Sequence, residues 1–89
     1  MTDLSTRLPV TVRFFAAARA AAGSEEKTLV TAPGVTVSDL VAMLGDGNPA
    51  LATVLQRCSY LCDGVAVRDT STRLQVGQTV DVLPPFAGG

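Results

Sequence analysis

Val10-Thr11-Val12-Arg13-Phe14-Phe15, followed at once by Ala16-Ala17-Ala18-Arg19-Ala20-Ala21-Ala22 and then Gly23, sets a strand directly before a short helix. The first six residues alternate, so Val10, Val12 and Phe14 share one face of the strand and Thr11, Arg13 and Phe15 share the other. The alanine run favours helix, and Gly23 behind it supplies a C-cap. Further along, Lys27 to Thr31 reads as a second strand and Pro33-Gly34 as a turn. Thr36-Val37-Ser38-Asp39 offers a side-chain cap to a helix that carries Leu40, Val41 and Leu44 and stops near Gly45. Asn48-Pro49 restarts a helix, with proline at its first position and Leu51, Val54 and Leu55 on one face. Asp63-Gly64, between the strand-like pieces Ser59 to Cys62 and Val65 to Val67, is the signature of a tight hairpin. Arg68 to Gln78 is a polar loop interrupted by Leu74 and Val76, and Thr79-Val80-Asp81-Val82-Leu83 is the last strand. The order β, short α, β, α, β, β, β predicts an α+β domain, a mixed sheet packed on one helical region.

Composition narrows what such a domain can do. At 89 residues the chain is one small domain, of a size that buries about 60% of the surface its unfolded form exposes, which leaves no room for a deep self-made active site. Seven basic against eight acidic residues give a net charge of −1, and Arg7, Arg13, Arg19, Lys27, Arg57, Arg68 and Arg73 are scattered. No nucleic-acid partner is expected from that pattern. No apolar window reaches the ~18 residues of a membrane span and the opening residues lack a leader's apolar core, so the expected location is cytoplasmic. There is no histidine, so Cys58 and Cys62 are not part of a four-ligand zinc site made by this chain, and no metal is expected. They read as packed thiols. Neither a Ser-His nor a Cys-His constellation exists, so the chain is not expected to be catalytic alone.

The C-terminus carries the chemistry instead. Pro84-Pro85-Phe86-Ala87-Gly88-Gly89 begins where the last strand stops, and the two prolines favour a stiff, extended exit. Six residues reach roughly 20 Å. Gly88 and Gly89 lack a Cβ and fit a channel too narrow for other residues, which would bring the Gly89 carboxylate to a partner's active site. The expected organisation is a folded domain over residues 1–83, with residues 1–8 disordered, and an extended tail over residues 84–89.

Strand alternation also suggests where a partner docks. If Val10, Val12, Phe14, Val65, Val67, Val80 and Val82 face the helices, then Phe15, Ala66 and Leu83 lie on the opposite face with Arg13, Arg68 and Asp81. Phe15 and Leu83 then form an apolar patch rimmed by charge at the root of the tail.

The phrases Val12-Arg13-Phe14-Phe15-Ala16-Ala17-Ala18-Arg19 with Gly23, and Leu83-Pro84-Pro85-Phe86-Ala87-Gly88-Gly89, resemble the small subunits of molybdopterin synthase, a family of ubiquitin-like sulfur carriers. The resemblance runs over nearly the whole chain from Val10 onward. It implies a ubiquitin-like β-grasp fold and a heterotetrameric synthase. It also implies a cycle in which a ubiquitin-activating-type adenylyltransferase uses ATP and Mg²⁺ to adenylate Gly89, and a sulfur donor protein converts the product to a thiocarboxylate. The large synthase subunit then takes that sulfur to turn cyclic pyranopterin monophosphate into molybdopterin. Pro84, Pro85, Phe86, Ala87 and Gly88 are the implied insertion segment, Gly89 the reacting residue, and Phe15, Ala66 and Leu83 the implied partner-binding positions. No cofactor is expected on this chain itself. Two other readings stand beside this one: a carrier for thiazole or cysteine synthesis or a ubiquitin-like protein modifier, and a noncatalytic β-grasp interaction module.

Overall fold

In the computed structural model, which describes residues 7–85, β1 (Leu8–Phe14) and β5 (Thr79–Leu83) form the centre of a five-stranded sheet. β1 pairs antiparallel with β2 (Glu26–Thr31) on one side and parallel with β5 on the other. β5 in turn pairs antiparallel with β3 (Ser59–Cys62), and β3 with β4 (Val65–Ala66). The order β2-β1-β5-β3-β4 lays the first and last strands side by side, which is the β-grasp arrangement that the resemblance implies.

The helices α1 (Ala16–Ala22), α2 (Val37–Gly45) and α3 (Pro49–Leu55) supply the other layer. The core between the layers is built from Val10, Val12 and Phe14 of β1, Val80 and Val82 of β5, Leu40 and Leu44 of α2, and Leu51 and Leu55 of α3, all buried. Every strand residue in that set follows the predicted alternation.

Local chemistry fixes the helix ends. The Thr36 hydroxyl accepts from the Asp39 N–H at 3.1 Å while Asp39 Oδ2 accepts from the Thr36 N–H at 3.0 Å, a reciprocal cap whose hydroxyl contributes about 1 kcal/mol. Asn48 Oδ1 accepts from the Leu51 N–H and Asn48 Nδ2 donates to the Ala21 carbonyl, both at 3.1 Å. One side chain thus starts α3 and ties it to the end of α1. Between β3 and β4, Asp63 (φ 49) and Gly64 (φ 81) both take left-handed conformations, as the tight turn requires.

The structure corrects the sequence reading at four places. β1 begins at Leu8, inside the segment expected to be disordered, because Leu8 pairs with Thr31, whose Oγ1 donates to the Leu8 carbonyl at 2.6 Å; residues 1–6 lie outside the described residues. β1 ends at Phe14, and Phe15 is the N-cap residue of α1. Val65, expected to be covered by helix, is 69% exposed. It stands opposite Cys62, which packs against the core, but β4 is the sheet edge, and among the described residues none covers Val65 enough to bury it. Leu74 in the polar loop is buried, held by its N–H donating to the Val35 carbonyl at 2.8 Å and by the Thr36–Arg73 bridge. Among the described residues no helix is long and apolar enough to cross a membrane.

Candidate functional site

The sheet face turned away from the helices is ordered by strand register. Glu26 of β2 pairs with Arg13 of β1, Arg13 with Asp81 of β5, Asp81 with Leu61 of β3, and Leu61 with Ala66 of β4. Residues directly opposite in neighbouring strands share a face, so these five form one row across the sheet. One step beyond the Phe14–Val82 pair, Phe15 and Leu83 continue the face toward the tail, with Ser59 opposite Leu83.

The centre of the row is an ion pair. Arg13 Nε donates to Asp81 Oδ1 at 2.6 Å and Arg13 Nη2 to Asp81 Oδ2 at 2.9 Å, a two-pronged match of guanidinium to carboxylate. The Asp81 side chain is 10% exposed and that of Arg13 is 49% exposed, so the arginine lies over the carboxylate as a lid. Hydrogen bonding and the negative charge of Asp81, aided by Glu26, push the Arg13 pKa up and keep it cationic. The Arg13 guanidinium carbon also stands 5.8 Å from the Phe15 ring centroid, within range of a cation–π contact.

Phe15 is 39% exposed. Its backbone is extended at φ −125, ψ 151, and the chain then turns sharply, because the next residue, Ala16, has φ 51. A residue with a Cβ in that region carries strain of about 1–2 kcal/mol. The turn lets α1 start at once while Phe15 keeps the outward parity of the strand. Beside the ring lies a cleft of about 390 Å³ edged by Ala16 and by the exposed Arg19–Glu25 ion pair, whose N–O distance is 2.6 Å.

Phe15, Ala66 and Leu83 therefore share one face, as expected, with Ala66 exposed and Leu83 half-buried. Pro84 is half-buried and Pro85 exposed. The tail residues Phe86, Ala87, Gly88 and Gly89, expected to hold the reacting carboxylate and most of the insertion segment, lie outside the described residues. Sequence reasoning missed Leu61, whose outward parity follows from alternation with Tyr60 and Cys62, and missed the pairing of Arg13 with Asp81. Cys58 and Cys62 are half-buried free thiols. Burial pushes both up, with the charge of Asp63 adding at Cys62, and the Cys58 thiol donates to the Val54 carbonyl at 3.2 Å. Protonated thiols are poor nucleophiles.

Comparison with known proteins agrees with the fold. Residues 12–89 match the ThiS family. The chain is 31% identical over 83 residues to a molybdopterin synthase sulfur carrier subunit of Chlamydomonas reinhardtii, covering 92% of this chain and all of the relative. The solution structure of small archaeal modifier protein 1 from Methanosarcina acetivorans superposes with a TM-score of 0.79 at 28% identity, covering 93% of this chain and 98% of that one. A chain in the complex of subunits 1 and 2 of the molybdopterin-converting factor from Helicobacter pylori superposes with a TM-score of 0.69 at 26% identity, covering 92% of this chain and 100% of its own.

Proposed function

The chain belongs to the ThiS family, and from that premise we propose that it is the sulfur carrier subunit of a molybdopterin synthase, acting in the cytoplasm. The observation that carries this is the continuity of β5: one strand places Asp81 and Leu83 in the apolar and charged face and leads directly into Pro84, Pro85 and the diglycine end. A partner docked on that face is met by a tail starting from a fixed point. The similarity to a sulfur carrier subunit over 92% of the chain supports the same reading, and the complex from Helicobacter pylori supports a large subunit as the docked partner.

The chemistry starts at Gly89. A terminal carboxyl has a pKa near 3.5 and is ionised at neutral pH, so its oxygen is able to attack the α-phosphorus of ATP, with pyrophosphate leaving. A plain carboxylate has no good leaving group, which makes activation obligatory. Sulfide-level sulfur delivered by a donor then attacks the acyl carbon, the bond to AMP breaks with AMP released, and a thiocarboxylate remains. The sequence holds no glycine-rich phosphate loop, so Mg²⁺ and the donors that stabilise the adenylate come from the activating enzyme. This chain contributes docking, aim and the acyl carbon, and the large subunit uses the sulfur on the pyranopterin.

The similarity to a small archaeal modifier protein favours a second reading, in which the activated carboxyl passes to an amine of another protein. Incubating the thiocarboxylated chain with the large subunit and cyclic pyranopterin monophosphate separates the two. Molybdopterin formation with return of the free carboxylate supports the carrier, whereas no turnover, with isopeptide-linked products when the activated chain meets other proteins, refutes it.

A further inference from the structure

We propose that Arg13 sets the specificity of the docking face by requiring a neutral hydrogen-bond acceptor, a carbonyl, amide or hydroxyl oxygen, from the protein surface that closes over Phe15 and Leu83. The inference rests on the proposed function, in which that surface belongs to the large synthase subunit. A guanidinium carries five N–H donors in a rigid fork. Asp81 takes one from Nε and one from Nη2, and among the described residues no acceptor meets Nη1. With the side chain 49% exposed, those donors are open to solvent in the free protein.

Docking changes that balance. A surface that covers the Phe15 ring also reaches the guanidinium beside it, whose carbon is 5.8 Å from the ring centroid. Water leaves, and a buried donor without an acceptor opposes binding. A partner shaped for a wholly apolar row is thereby refused, and one with an oxygen placed beside the Phe15 pocket is accepted. The acceptor is neutral because Arg13 is already balanced by Asp81, while Glu26 stands next to it in the same row. A partner carboxylate would bring a third negative charge to a single cation.

The test compares the affinity of the full-length chain for the large subunit among wild type, Arg13→Lys, and the double variant Arg13→Leu with Asp81→Leu. Lysine keeps a charge for Asp81 but not the spare donors of the fork, and the double variant makes the centre of the row apolar while leaving Glu26 at its end, a replacement of an ion pair that is often neutral for folding. Both variants are expected to bind about tenfold or more weakly, with melting temperatures close to wild type, and the ratio to wild type is expected to persist from low salt to roughly 0.5 M. A double variant that binds as tightly as wild type overturns the inference. So does a ratio that shrinks to one at high salt, which would mark a partner carboxylate. Should the double variant not fold, Arg13→Lys alone decides by the same criteria. Wild-type chain that fails to bind the large subunit refutes the parent reading along with this one, whereas wild-type binding with unaffected variants refutes this one alone.

Discussion

Replacing Phe15 with Asp separates docking from folding, because the residue occupies two environments at once. A Phe side chain presents about 200 Å², so the 39% left exposed in the isolated chain is about 80 Å² for a partner to cover. At ~25 cal/mol per Å² that area contributes about 2 kcal/mol to binding, or about thirtyfold in Kd. Aspartate loses this contribution and adds a carboxylate beside Asp81 and Glu26, so the expected weakening reaches at least about a hundredfold. The fold responds differently. Phe15 is the N-cap of α1 and makes no side-chain capping bond, and the ring lies outside the core cluster. Aspartate is a preferred N-cap residue, and its gain of about 1 kcal/mol offsets much of the packing lost. The melting temperature is expected to stay within about 8 °C of wild type, the shift that ~1 kcal/mol produces in a domain of this size. Titration calorimetry against the large synthase subunit, beside a melting curve of the variant alone, makes the measurement. Unchanged affinity would refute the docking argument, and a variant that does not fold would show that Phe15 belongs to the core.

Three further outcomes follow from named side chains. Replacing Cys58 and Cys62 together with Ala is expected to leave sulfur loading intact, because burial keeps both thiols protonated; a folded double variant that takes up no sulfur would place the thiols on the transfer path. Tyr60, the one tyrosine of the chain, donates its hydroxyl to the Leu55 carbonyl at 2.9 Å, and burial, aided by the charge of Cys58, pushes it up to about 12. Since folding favours its neutral form, its contribution to stability is complete below about pH 10 and is lost as pH rises toward 12; tyrosinate absorbance rising near pH 10 while the protein is still folded would contradict this. Thr36→Ala removes the hydroxyl half of the α2 cap and is expected to cost about 1 kcal/mol, lowering the melting temperature by about 4–8 °C; no change on thermal melting would show that Asp39 alone holds the helix start.

Periodicity and caps make most of the fold legible in the sequence. Val10, Val12, Phe14, Val80 and Val82 are buried because period-two alternation is a property of the strand itself, and Asn48-Pro49 and Asp63-Gly64 act through their own backbone preferences. The features that are not legible depend on neighbours distant in sequence. Val65 has the inward parity the pattern gives it, but its exposure is set by the position of β4 at the sheet edge. Arg13 and Asp81 both carry outward parity, yet their bond joins residues 68 positions apart and exists only because β1 and β5 run parallel in one particular register. Leu61 enters the row of the outer sheet face for the same reason, through pairing with Asp81 on one side and Ala66 on the other. The sharp turn at Ala16 is invisible in the sequence because alanine carries no signal for a left-handed conformation. The diglycine end lies outside the described residues, and its chemistry is proposed from its residue types.

The central claim is that the terminal carboxyl of Gly89 carries the sulfur, and intact-mass measurement tests it most directly. Wild-type chain and a chain lacking Gly89 are each incubated with the activating enzyme, ATP, Mg²⁺ and a sulfur source, with melting curves recorded on both. The account predicts that wild-type chain gains the mass of one oxygen-to-sulfur exchange, localised to the C-terminal residue by fragmentation. It predicts that the shortened chain gains nothing while melting at the same temperature. No mass gain on the wild-type chain, or equal gain on the chain without Gly89, would contradict it.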